Sequence, residues 1–326
     1  MKVSVIIPTR NSKAYIESLL IKLNNQTVSP HEIIIINTKS QDDIENICKK
    51  YKNVKFIEIS QNEFDHGGTR NRAAKKAVGD ILVFMTQDAY PKNNKFIEEI
   101  VSPLGKENIV CSYGRQLPRE DSGVVESFSR SFNYPDKDIV KSKEDIDMLG
   151  VKTFFFSNVC SAFIKDEFWR IGGFPEETIM NEDMIIASKF IFDNKKSYYA
   201  SKAMVIHSHK YSYIQQFKRN FDIGVVFVDS REYFKEIKSE SEGIKFVKEA
   251  IKYLINNKKA YLIPHLIIET GFRFLGYKVG QHYKKIPLKY VKRMSMHSFY
   301  FDKKQVRSDL DEDINNRGEG SIRKAN

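Results

Sequence analysis

The run Phe64-Asp65-His66-Gly67-Gly68-Thr69-Arg70-Asn71 joins a paired glycine to a histidine and an arginine, between an apolar run, Val54–Ile59, and a helical pattern, Arg70–Val78. Paired glycines let the backbone approach a ligand closely, and a guanidinium offers phosphate oxygens a planar fork of donors. The next apolar run, Ile81–Met85, ends in Thr86-Gln87-Asp88-Ala89. That sets a carboxylate just past a strand end, where open α/β sheets place their ligand chemistry. Together these residues predict a nucleotide-diphosphate site that includes Gly68, Arg70, Gln87 and Asp88. His66 either joins it or sits on a loop that the glycines shape.

Two further groups could do chemistry. Glu182 and Asp183 open a helical pattern ending at Phe192, with Ile186, Ala187, Phe190 and Ile191 toward the core. A helix N-terminus favours the ionised carboxylate, the form a general base requires. On these residues alone, ordinary N-terminal helix acids are the simpler account. His207 and His209 flank Ser208 after the strand-like Ala203–Ile206. Strand alternation would put both rings on one side, able to grip a metal or a diphosphate, although a histidine near a strand end is more often structural.

The elements that would position these groups alternate through the first 115 residues. Val3–Pro8, Glu32–Asn37, Val54–Ile59, Ile81–Met85 and Ile109–Tyr113 read as strands, and Lys13–Asn25, Asp42–Tyr51, Arg70–Val78 and Phe96–Ser102 as helices. That order predicts an α/β fold with a mostly parallel central sheet covered on both faces. From residue 116 to about 147 the chain is polar and turn-rich, which predicts a long mobile excursion. The run Phe154–Phe156 and the single tryptophan, Trp169, are expected in the core or a cleft wall. Beyond residue 211 nearly everything reads as helix: Tyr213–Phe234, Gly243–Asn256, Tyr261–Tyr283 and Leu288–Met296. The expected regions are 1–235 for the α/β domain, 236–304 for basic amphipathic helices and 305–326 for a disordered tail.

A chain of 326 residues with 41% hydrophobic content can bury a full core. Cys48, Cys111 and Cys160 are far apart and odd in number, fitting neither a zinc site nor a disulfide framework, so a reducing compartment is expected. The opening apolar run is too short for a signal-peptide core, and no run nears the roughly 18 apolar residues of a membrane span. A cytoplasmic protein follows from that reading. The net charge of +11 resides in residues 245–304, since 1–244 carry +1 and 305–326 carry −1. Basic helices bearing aromatics suit an anionic membrane surface, which would place the protein peripherally on the inner face of the plasma membrane. A helical cap or a homo-oligomer contact is the alternative. Nucleic acid is not expected, because no binding motif accompanies the charge.

Taken in order, several stretches resemble the inverting glycosyltransferases of family 2, which adopt the GT-A nucleotide-sugar fold. They are Val3-Ser4-Val5-Ile6-Ile7-Pro8-Thr9-Arg10-Asn11, the 64–71 run, Gln87-Asp88-Ala89, Ser161-Ala162-Phe163, Ile171-Gly172-Gly173-Phe174-Pro175-Glu176 and Asn181-Glu182-Asp183. The 64–71 run and Gln87-Asp88-Ala89 are similar to the rhamnosyltransferase branch, which uses dTDP-rhamnose to build bacterial surface polysaccharides. The resemblance implies that Pro8, Thr9, Arg10, Asn37, Lys39, His66, Gly68, Arg70, Gln87 and Asp88 surround a nucleotide sugar. It implies Asp183 as general base beside Glu182, Mg²⁺ or Mn²⁺ on Asp88 with His207 and His209, and a saccharide acceptor that is lipid-linked.

The chain departs from the family pattern where Asn37-Thr38-Lys39 replaces an acidic D-x-G and where Gln87-Asp88-Ala89 replaces D-x-D. Asn37 can still accept from a pyrimidine N3–H, and Lys39 adds positive charge near the nucleotide. One carboxylate with diphosphate oxygens can hold Mg²⁺, which takes few protein ligands. A UDP-hexose or UDP-hexosamine donor is the alternative within this class. A nicotinamide-dependent oxidoreductase lacks support, since Pro8-Thr9-Arg10-Asn11 follows the first strand where G-x-G-x-x-G is needed. A non-catalytic nucleotide-sugar binding protein would fit the reduced D-x-D but not the presence of both Asp88 and Asp183. Asn220-Phe221-Asp222-Ile223-Gly224 is also similar to a run in related transferases, and no chemistry attaches to it.

Overall fold

A computed structural model describes residues 1–234 and 240–304; the tail expected at 305–326 lies outside the described residues. One sheet contains β1 (Val3–Thr9), β2 (Glu32–Thr38), β3 (Val54–Ile59), β4 (Ile81–Met85), β5 (Tyr90–Pro91), β6 (Ile109–Leu117), β7 (Ile139–Lys141), β8 (Cys160–Ile164) and β9 (Lys196–Ile206). The order is β3-β2-β1-β4-β8-β6-β9-β5, with β7 also on β9. The first four are mutually parallel, β8 enters antiparallel between β4 and β6, and β6 and β9 are parallel again.

Strand alternation explains the two cores. Val5, Ile7, Ile33, Ile35, Val83 and Met85 face one layer with helix Ile16–Asn24, whereas Ile6, Ile34, Ile36, Leu82 and Phe84 face the other with Phe163, Phe168 and Phe190. Burial on both faces is why these strands read as unbroken apolar runs. Trp169 packs at the margin of the second layer, edge-on to Phe168.

The excursion expected at 116–147 is ordered. β6 runs on to Leu117, helix Val124–Asn133 follows, and β7 closes against β9. Its apolar residues are few but correctly spaced: Val125 and Phe128 are buried, and Phe128 meets Phe246 and Tyr253 of helix Glu240–Asn256.

The chain divides into two compact units, Met1–Lys210 with Ser230–Ile267, and Tyr211–Asp229 with the described residues from Ile268 onward. The units thus cut across the boundary expected at residue 235. In the second unit, helix Tyr213–Asp229 lies against the end of helix Ile263–Gln281, close enough that a Cβ on Gly224 would stand 2.4 Å from Tyr277 O and one on Gly280 2.1 Å from Phe221 O. This close approach accounts for Gly224 in the 220–224 run. Asp222, also in that run, accepts from Met296 N at 2.9 Å.

Candidate active site

Helix Glu182–Phe192 begins after Asn181, which is left-handed at φ 62°, and its first turn carries both acids. Asp183 accepts backbone hydrogen bonds from Asn158 N at 2.9 Å and Met184 N at 2.8 Å. Glu182 is 5% exposed, accepts from Asn158 Nδ2 at 3.0 Å and pairs with Arg70 Nη1 at 3.1 Å. The two carboxyls diverge in consequence. Burial, then the neighbouring charge of Glu182, push Asp183 above the usual carboxylate range. Burial also acts upward on Glu182, but Arg70, His66 and Asn158 outweigh it and hold that group below its ordinary value. Asn158 grips both acids and is itself fixed by Ser161 Oγ at 2.8 Å. Its only signal in the sequence is a polar residue between the apolar runs Phe154–Phe156 and Val159–Ile164, too little to mark it as part of the site.

The 64–71 run, expected to cradle a diphosphate, is tied within the protein to the segment ahead of the two acids. Its glycines lie in the first turn of helix His66–Lys76, not in an open loop, with Asp65 capping Gly68 N at 2.6 Å. A Cβ on Gly67 would stand 1.9 Å from Pro175 O, so this glycine admits the 172–177 segment. Asn71 exchanges hydrogen bonds with both backbone groups of Phe174, at 2.9 and 3.0 Å, and Asp65 accepts from Glu177 N at 3.0 Å. Arg70 is 6% exposed, donates to His66 O and Glu182, and its Nε has no hydrogen-bond partner among the described residues. His66, first in the helix, is kept from charging mainly by burial, which lowers its pKa. The run therefore seats the segment that delivers Glu182 and Asp183.

The second cluster forms where β4 ends. β5 pairs Tyr90 with Ile206 of β9, which brings Asp88 beside the residues after Ile206. His207 continues the β6 ladder by donating its N–H to Leu117 O at 2.9 Å. Nε2 of His207 and of His209 each lie 3.5 Å from Asp88 Oδ2, and the three ligand atoms fall within 4.8 Å of one another. Burial alone would raise Asp88; the hydrogen bond and charge from His207, with His209, reverse that and hold it well below the ordinary range. A half-buried carboxylate with two imidazoles suits a divalent transition ion better than an all-oxygen cation such as Ca²⁺.

The remaining expected residues lie at the C-terminal ends of β1, β2 and β4. Gln87 clips the backbone of Arg10, accepting from its N–H at 2.8 Å and donating to its carbonyl at 3.0 Å. Asn37 Oδ1 accepts from Thr9 Oγ1 at 3.0 Å, and both residues are buried, so this oxygen already has one donor. Pro8 is half-buried, while Arg10 and Lys39 are exposed.

Residues 4–172 match Glycosyl transferase family 2. The chain is 37% identical over 94% of its length to the O-antigen chain rhamnosyltransferase RfbN of Salmonella typhimurium, spanning 98% of that protein. To the O-antigen chain rhamnosyltransferase WbaN of Salmonella anatum it is 39% identical, over 94% and 97% of the two chains. The chain is a family 2 glycosyltransferase. Its backbone is similar to that of S. aureus TarS 1–349 solved with UDP-GlcNAc, at TM-score 0.53 and 18% identity over 87% of this chain and 92% of the other. It is also similar to mannosyltransferase PcManGT of Pyrobaculum calidifontis solved with GDP-Man and Mn²⁺, at TM-score 0.54 and 16% identity over 95% and 87%. At such identities the likeness bears on fold, and the transferase has the expected GT-A architecture followed by C-terminal helices. No helix of the described residues is long and apolar enough to cross a membrane.

Proposed function

We propose that this transferase moves rhamnose from dTDP-rhamnose onto a lipid-linked saccharide in bacterial surface polysaccharide synthesis, with inversion. The similarity to two O-antigen rhamnosyltransferases over nearly the whole chain supports the sugar class. The observation that carries the chemistry is Asp183: a carboxylate with a raised pKa, oriented by two backbone N–H groups. A base with its pKa moved toward the working pH combines deprotonation in the resting state with driving force for taking the acceptor hydroxyl proton. Burial first and Glu182 second raise that pKa, and Arg70 in turn compensates Glu182. Asp88, His207 and His209 would hold Mn²⁺ or Mg²⁺, which supplies neutralisation of charge on the departing diphosphate. The two imidazoles favour Mn²⁺.

Asp88→Ala tests the metal assignment. Donor affinity is expected to fall only when metal is present, by more than the roughly 10–100-fold typical of losing an outer-shell partner. Equal dTDP-rhamnose affinity for the two proteins in Mn²⁺ calorimetry would remove Asp88 from the metal. Substituting UDP-glucose or UDP-GlcNAc for the donor in the same cell discriminates the alternative sugar class.

For the acceptor end, we infer that the second compact unit rests on anionic lipid. Helix Ile263–Gln281 exposes Ile268, Phe274 and Leu275, with Lys278 over the Phe274 ring at 5.7 Å, and Lys284, Lys285, Lys289 and Arg293 are exposed beyond it. Apolar side chains flanked by lysines suit the headgroup region, with each basic residue contributing about 1 kcal/mol of attraction to an anionic surface. The transferase is expected to sediment with phosphatidylglycerol vesicles at low salt and to be released as salt rises. Glutamine at Lys284, Lys285, Lys289 and Arg293 should abolish sedimentation; unchanged binding would leave these helices as a cap or an oligomer contact.

A further inference from the structure

Gln116 is 2% exposed on β6, and its amide is used on both sides. Nε2 donates to Tyr134 OH at 2.6 Å and Ser157 Oγ at 2.9 Å, while Oε1 accepts from Arg130 Nη1 at 2.5 Å and faces His207 Nδ1 at 3.0 Å. A guanidinium can only donate, so the amide atom turned toward Arg130 must be the oxygen. That oxygen can only accept from His207, so Nδ1 carries the hydrogen. In a neutral imidazole the lone pair then sits on Nε2, which faces Asp88 Oδ2 at 3.5 Å. With Nδ1–H committed to Gln116, Nε2 is the nitrogen left facing Asp88, and it holds either a proton directed at that carboxylate or, in the proton's place, a metal cation shared with it. Arg130 is held in turn by Glu126 Oε1 at 2.9 Å, within helix Val124–Asn133.

We propose that Gln116 is a positioning residue: anchored by Arg130, it fixes His207 as the Nδ1–H tautomer and presents Nε2 to a divalent cation shared with Asp88 and His209. The cation half rests on the metal reading given above, whereas the tautomer rests on hydrogen bonds alone. A partner of this kind orients the imidazole and raises its basicity toward metal. It also gives helix Val124–Asn133 a purpose beyond covering the sheet, because the guanidinium that orients the amide comes from that helix.

The test combines tautomer and metal affinity, neither of which requires turnover. Nitrogen-15 NMR of histidine-labelled protein at pH 8 without metal, with His207 assigned through His207→Gln, should show Nδ1 protonated in the wild type. In Gln116→Leu the Nε2–H form should appear, and Mn²⁺ affinity measured by calorimetry should fall about 10–100-fold. Gln116→Glu, which still accepts from His207 and Arg130, should keep the Nδ1–H tautomer and most of the Mn²⁺ affinity, an outcome that a purely packing role would not give. If Gln116→Leu does not fold, Arg130→Met, on a partly exposed helix, should shift the tautomer in the same direction. Wild-type protein that binds Mn²⁺ with His207 as Nε2–H would overturn this inference alone. Wild-type protein that binds no Mn²⁺ would overturn it together with the metal reading.

Discussion

Asp183→Asn is expected to lower kcat by roughly 10²–10⁴-fold, the usual range for a lost general base, with little change in donor affinity. The amide keeps the shape and can still accept from Asn158 N and Met184 N, so the loss should reside in proton transfer. The pH dependence gives an independent sign. The base works deprotonated, so activity is present above its pKa in the folded enzyme and disappears as pH falls through it. Burial first, and Glu182 second, raise that pKa. The acid limb of log(kcat/KM) should therefore lie above the ordinary carboxylate range. Glu182→Gln removes the like charge and leaves Arg70 to act on Asp183 unopposed, and both effects move the limb to lower pH. Near-normal turnover by Asp183→Asn across this range would rule out the assignment.

The parts of the fold legible in the sequence are those in which local pattern and tertiary burial agree. β1, β2 and β4 are readable because both faces are buried, β3 by its apolar residues although it is half-exposed, and the helix at Glu182 is legible to the residue. β8 is not, because Cys160–Ile164 is short and begins one residue after the polar Ser157-Asn158. Helix Val124–Asn133 was hidden for a related reason: charged and hydroxyl residues surround the few apolar ones, and its stability comes from Phe128 against Phe246 and Tyr253, more than a hundred residues away. For the site, period-two alternation puts His207 and His209 on one side of the strand end, and both Nε2 atoms lie 3.5 Å from Asp88 Oδ2. It could not foresee the irregular register of β6 and β9 between Gly114 and Arg115, after which Leu117 pairs with Ile206 and the histidines come into place. Nor could residue types separate an arginine that binds phosphate from one that neutralises a buried acid. That distinction depends on burial, and burial of Arg70 is set by segment 172–182, a hundred residues further on.

Arg70 therefore carries the other large expected effect. Arg70→Met should destabilise the transferase by about 3–5 kcal/mol, the cost of leaving a buried charge without its partner. The residue left behind is Glu182, 5% exposed, whose ionisation depends foremost on Arg70 among the groups that favour it. His66, the next group that favours the ionised acid, compensates less well, since its own burial opposes a charge. Urea unfolding at neutral pH measures the loss directly. The double variant Arg70→Met with Glu182→Gln should recover much of it, because the acid no longer has to be ionised in the interior. Asn158 Nδ2 would retain an amide oxygen to bond, so the first turn that aims Asp183 should survive. A diphosphate-binding arginine would behave in the opposite way: its loss would raise the donor KM while unfolding stayed as in the wild type, and Glu182→Gln would restore nothing. Observing that second pattern would return Arg70 to the nucleotide and leave Glu182 without an explanation for its burial.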